Sequence, residues 1–220
     1  MQLASVLLAR AVAWVESHDL NPRGKVYYPA ITEALVKRYG FAKFPQKPED
    51  YDESKGVAFV YGKDGDSVIE QVLIYTNGVV LETRSSTEDS KRLLERALEW
   101  AASEIGLAYT PGMIRRWQYY SQLVFTSPLN LTAAAPAFSN LSESINKTLK
   151  TLMGEDLRYE ATAVHFNFDL LTRKNPIGSF SIQRRENMPF SDNKYFSEAP
   201  LPTGVHIELL EQFEKDLSLR

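Results

Sequence analysis

Apolar residues recur every three or four positions over residues 1–15, at Leu3, Val6, Leu7, Ala11, Trp14 and Val15, and this spacing predicts an amphipathic helix. Arg10 interrupts the apolar run and no basic stretch precedes it, so the segment reads as a core helix and not as a leader, although Ala11-Val12-Ala13 imitates a cleavage site. Asn21-Pro22-Arg23-Gly24 then breaks the chain. A second helix is predicted with Pro29 near its start, Ile31, Ala34, Leu35 and Tyr39 on one face, and Gly40 as its stop with Phe41 packed behind. Residues 44–56 combine prolines with Glu49, Asp50, Asp52 and Glu53 and read as a solvated linker. Residues 1–50 are therefore expected to form a helical arm and linker, with residues 51–220 as the body.

From residue 57 the period falls to two. Strands are predicted over 57–61, 68–75 and 79–83, joined by turns at Gly62-Lys-Asp-Gly65 and Asn77-Gly78, which makes a three-stranded meander. Ser86 is placed to cap a helix whose first turn holds Glu88 and Asp89, and whose stripe is Leu93, Leu94, Ala97, Leu98 and Ala101. A β-α-β-β unit is predicted next: a strand over 114–126, a helix over 136–152 burying Leu141, Ile145, Leu149 and Leu152, and strands over 159–170 and 178–185. Arg173-Lys-Asn-Pro176 supplies the turn between those two strands. A helix over 203–217 closes the chain. Antiparallel strands with helices on one face define an α+β fold, with 51–110 and 111–220 as candidate subdomains of the body.

At 220 residues and 44% hydrophobic composition, the chain is long enough for one substantial core or two small ones. A formal charge of −3 argues against a general binder of nucleic acids or anionic membranes. No run reaches the ~20 apolar residues that a membrane-spanning helix needs. The chain has no cysteine, which removes disulfides and thiolate chemistry, and the cytoplasm is the expected compartment. No cofactor and no metal are expected. Nucleophile elbows, phosphate loops, dinucleotide fingerprints and paired-histidine zinc motifs are all missing from the sequence.

Three segments carry candidate chemistry. In the strand over 114–126, alternation places Arg115, Trp117 and Tyr119 on one face and Arg116, Gln118 and Tyr120 on the other. Arginine forks beside aromatic planes can hold phosphates and stack bases, whereas the competing reading makes them cation–π packing. The second is the row His165, Asn167 and Asp169, a candidate ligand or proton-sharing face that Arg184 and Arg185 would approach if the last two strands pair; the competing reading is an ordinary polar strand face. The third is the segment 186–204, read as a long binding loop that displays Phe190, Tyr195 and Phe196, against a connection that the same rings anchor to the core. His206, just beyond it, reads as structural or exposed.

Tyrosine and arginine on the same segments suit the centre of a protein interface. The first functional reading is accordingly a non-enzymatic interaction protein, a subunit or adaptor with a protein partner or a second copy. The alternative is a nucleic-acid or nucleotide binder, or an enzyme acting on phosphates, in which Arg115, Arg116, Arg184 and Arg185 hold the anion. Steep weakening of binding with salt separates the two.

Overall fold

The N-terminal stretch is a strand and not the expected helix: β1 covers Gln2–Trp14. A computed structural model describes residues 1–24, 26–156, 158–169, 171 and 178–219. Ala9, Ala11, Ala13 and Val15 are buried at every second position, which is the period of a strand. An apolar run this long satisfies both periods on paper. Pairing decides between them, because β1 joins β4 (Gly78–Thr83) with Ala9 opposite Thr83 and Ala13 opposite Val79. The small alanines also let a helix come close, since Ser90 Oγ donates to the Ala9 carbonyl at 2.8 Å.

The remaining strands are β2 (Val57–Asp64), β3 (Ser67–Tyr75), β5 (Arg116–Thr126), β6 (Ala163–Phe166), β7 (Phe180–Arg184) and β8 (Lys194–Ala199). The helices are α1 (Ser17–Leu20), α2 (Tyr28–Tyr39), α3 (Thr87–Trp100), α4 (Pro136–Met153) and α5 (Thr203–Ser218). Among the described residues the strands form one antiparallel sheet in the order β2-β3-β4-β1-β5-β8-β7-β6, which together with these helices is an α+β fold. Two compact units divide the chain: Val6–Ser121 with Leu201–Gly204, and Met1–Ser5 with Gln122–Pro200 and Val205–Arg220. β1 lies between β4 and β5, so Gln2–Trp14, expected as a helix, is a strand of the sheet.

In the first unit the meander forms as expected, with both turns shifted. β2 runs on to Asp64 and turns at Gly65-Asp66, where Gly65 has φ +61°. Tyr75 pairs with Gly78, so Thr76 and Asn77 occupy the second turn. Gly78 is needed for a different reason: a Cβ there would stand 3.1 Å from the Ala13 carbonyl oxygen on β1. Ser86 caps α3 by accepting from the Asp89 N–H at 3.0 Å. The core joins Leu20, Tyr39, Leu93, Leu94 and Leu98 from the helices to Val57, Phe59, Ile69, Val79 and Leu81 on one face of the sheet.

That core is not solid. α1, α2, α3 and the β3–β4 face surround a partly enclosed cavity of about 320 Å³.

In the second unit, β8 replaces part of the loop expected over 186–204. Tyr195, Ser197 and Ala199 face inward and Lys194, Phe196 and Glu198 outward. Two of the three inward residues are small or polar, which leaves the alternation faint in the sequence. Ser197 Oγ donates to the Ser181 carbonyl at 2.6 Å and lies 2.8 Å from His206 Nε2, so the inward hydroxyl is satisfied. The strand expected over 159–170 shortens to β6, and the turn expected at 173–176 lies outside the described residues, as does Leu170.

Candidate functional site

β5 begins at Arg116, so Arg115 precedes the strand; within it, in the first unit, Trp117 lies against α3, and Arg116 and Tyr120 lie against Trp14 and Arg10 of β1. Arg115 forms ion pairs with Glu16 at 3.1 Å and Asp19 at 3.7 Å. Trp117 packs against the core, with Lys91 Nζ 5.3 Å from its ring centre. Tyr119 lies near the same helix; burial is the main cause that raises its hydroxyl pKa, with Lys91 opposing and Glu95 and Glu88 adding to the rise. On the other face the Arg116 guanidinium lies 4.5 Å over the Trp14 ring, and Arg10 lies 5.7 Å over Tyr120 while bonding Glu82 at 2.7 Å. These rings and cations are largely engaged with one another, as in cation–π packing of a sheet face.

The other candidates lie in the second unit. Only His165 of the row His165, Asn167 and Asp169 is in β6, where it pairs with Ser181. Asp169 Oδ1 accepts from the Leu171 N–H at 2.9 Å. Arg184 is not beside this row, because its backbone N–H reaches the Thr162 carbonyl at the other end of β6. Its side chain is buried: Nη2 is 2.9 Å from Glu160 Oε2, Nη1 is 2.7 Å from the Phe190 carbonyl, and the guanidinium lies 4.7 Å over the Phe190 ring. Arg185 is exposed, and its backbone N–H donates to the Lys194 carbonyl.

Tyr195, expected as a displayed loop aromatic, is fully buried and stacks on Phe125 at 5.6 Å. Its hydroxyl accepts from the Leu131 N–H and donates to the Leu129 carbonyl, each at 3.1 Å. Phe190 is held by Arg184 and Phe196 is half-buried on the outer face of β8. Tyr195→Phe is expected to cost about 1–3 kcal/mol by stranding that buried N–H, read as a lower urea midpoint at constant slope.

The surface that the sequence reading did not single out is α4. Its limits agree with expectation, but it has no buried residue, and its apolar side faces outward. Phe138 is 47% exposed, Leu141 59% and Leu152 75%, with Met153 exposed beside them and Ile145 and Leu149 half-buried. At ~100° per residue, Phe138, Leu141, Leu149 and Leu152 all lie within about 40° of Ile145, while Glu143 and Lys147 point about 160° away. The helix is held from another side, where the Asn146 side chain accepts from the Tyr159 N–H at 2.7 Å and donates to its carbonyl at 3.2 Å. Neither end leaves the helix unanchored, since Pro136 starts it and Gly154 caps it by donating to the Lys150 carbonyl.

No protein-family model matches this α+β chain, and no curated protein matches it. Among the described residues no helix is long and apolar enough to cross a membrane.

Proposed function

We propose that the chain is a non-enzymatic assembly protein of the cytoplasm whose docking element is α4. The observation that carries this is an 18-residue amphipathic helix with no buried residue, whose apolar stripe is continuous and free of charge. Contiguous exposed apolar surface of this kind marks interaction sites in soluble proteins. A second copy is the partner that the spacing favours. Leu141 and Leu149 stand four residues either side of Ile145, and Phe138 and Leu152 seven either side. An antiparallel pairing about a two-fold axis at Ile145 sets Leu141 against the partner's Leu149 and Phe138 against the partner's Leu152, as an isologous interface requires.

Light scattering tests this directly. The full chain is expected at twice its 25.0 kDa, and Leu141→Glu with Leu152→Glu is expected to return it to 25.0 kDa as a folded monomer with native circular dichroism, since both side chains are exposed in the single chain. A wild-type chain that stays at 25.0 kDa at tens of micromolar contradicts the pairing.

A second reading, nucleic-acid binding, is supported by the exposed Arg116 guanidinium stacked on Trp14. It predicts binding to single strands that Arg115→Ala with Arg116→Ala removes and that weakens steeply with salt. Binding that the double variant leaves intact excludes that surface.

A further inference from the structure

We propose that the cavity of the first unit is a binding site for a small apolar molecule with an amino head group, the head resting on Glu53. The walls are apolar, with Leu35, Ile69, Val72, Leu81, Leu94 and Leu98 among them. The volume of about 320 Å³ falls in the range of ligand pockets, about 300–1,000 Å³. It is roughly twice the ~150 Å³ hole that takes up benzene, so a ligand of about a dozen non-hydrogen atoms fits.

The polar lining supplies the orientation. Ser17, His18, Asn21, Tyr28 and Glu53 all border the cavity, His18 with its side chain mostly in solvent and 3.3 Å from Asp19. Asn21 is committed to Val26, donating to its carbonyl at 2.9 Å and accepting from its N–H at 3.2 Å, and therefore serves as a fixed wall. Ser17 Oγ donates to Glu53 Oε2 at 2.6 Å. Tyr28 adds a second neutral donor: its hydroxyl is held protonated, first by burial and then by the charge of Glu53 and a hydrogen bond to it. The partners shown for Glu53, Ser17 and Tyr28, are both neutral, and a carboxylate so placed at the edge of an apolar space favours a cationic donor. A carboxylate head would meet like charge and is excluded by the same geometry.

The test is calorimetric titration of the full chain with 1-aminodecane below its micelle concentration, against decanoate. Saturable binding of the amine is expected, with decanoate at least about tenfold weaker. Glu53→Gln is expected to bring the two probes to within about twofold of each other. Ala97→Phe, which fills the cavity from α3, is expected to abolish binding of both while the far-ultraviolet circular dichroism stays native. Decanoate binding as tightly as the amine, no saturable heat with the amine, or undiminished binding by folded Ala97→Phe each overturns the proposal. If Ala97→Phe does not fold, the choice between the two probes by wild type and Glu53→Gln still decides it.

Discussion

Arg184→Ala is expected to destabilise the fold by about 3 kcal/mol, the lower end of the ~3–5 kcal/mol for breaking a buried ion pair. The side chain of Arg184 is 6% exposed and that of Glu160 is 15% exposed, so removal of the guanidinium leaves a carboxylate largely shielded from water. The value sits at the lower end because Glu160 keeps a second partner, Arg158, at 2.6 Å. The truncation also frees the Phe190 carbonyl and removes the plane that covers the Phe190 ring. Urea unfolding should show the loss as a lower midpoint at constant slope. Arg184→Met combined with Glu160→Leu should cost less than Arg184→Ala alone, because no charge is then left buried. A loss below about 1 kcal/mol for Arg184→Ala would mean that water reaches the pair. The same pair bears on anion binding, since Arg184 would have to give up Glu160 to hold a phosphate.

Acidification provides the second large effect, through His206. Its ring is fully buried, edge-on to Phe180 at 5.4 Å and 2.8 Å from Ser197 Oγ. Burial lowers its pKa to about 4 from the ordinary 6.5. Between those two values the unfolded chain binds a proton that the folded chain refuses, so stability falls as the pH drops from about 6.5 and levels off below about 4. The full loss from this residue is about 3 kcal/mol at ~1.4 kcal/mol per unit. Unfolding midpoints measured across this window should slope for the wild type, and the slope should largely vanish in His206→Gln, which keeps a polar partner for Ser197. An equal slope in the variant would assign the effect to other groups.

Much of the first unit was legible because its signals are local. The Ser86 cap, the acids that follow it and the α3 stripe specify a helix without help from elsewhere. Alternation along β5 likewise separates Trp117 from Arg116 correctly. What alternation cannot supply is the partner: Arg115 meets Glu16 and Arg116 meets Trp14, each about a hundred positions away in sequence.

β1 was misread for a related reason. A run in which nearly every position is apolar fits a period of 3.6 as well as one of 2, and only pairing with β4 selects between them. β8 was hidden because Ser197 and Ala199 face the core beside Tyr195, a face with one large residue and two small ones. α4 shows the limit most clearly. Periodicity located the helix and its stripe to within a residue of its end, but nothing in a single chain's sequence states whether the stripe is covered by its own fold or left for a partner.

The absence of cysteine from the chain allows a direct test of pairing through α4, because one introduced thiol is unique. Ile145→Cys should oxidise to a covalent dimer on non-reducing gels, since the proposed two-fold axis passes through this position and brings the two thiols within disulfide reach. Leu152→Cys, facing the partner's Phe138, should not. Cross-linking at 145 and not at 152 is the result that antiparallel self-pairing predicts; no dimer at 145, or equal dimer at both positions, would contradict it.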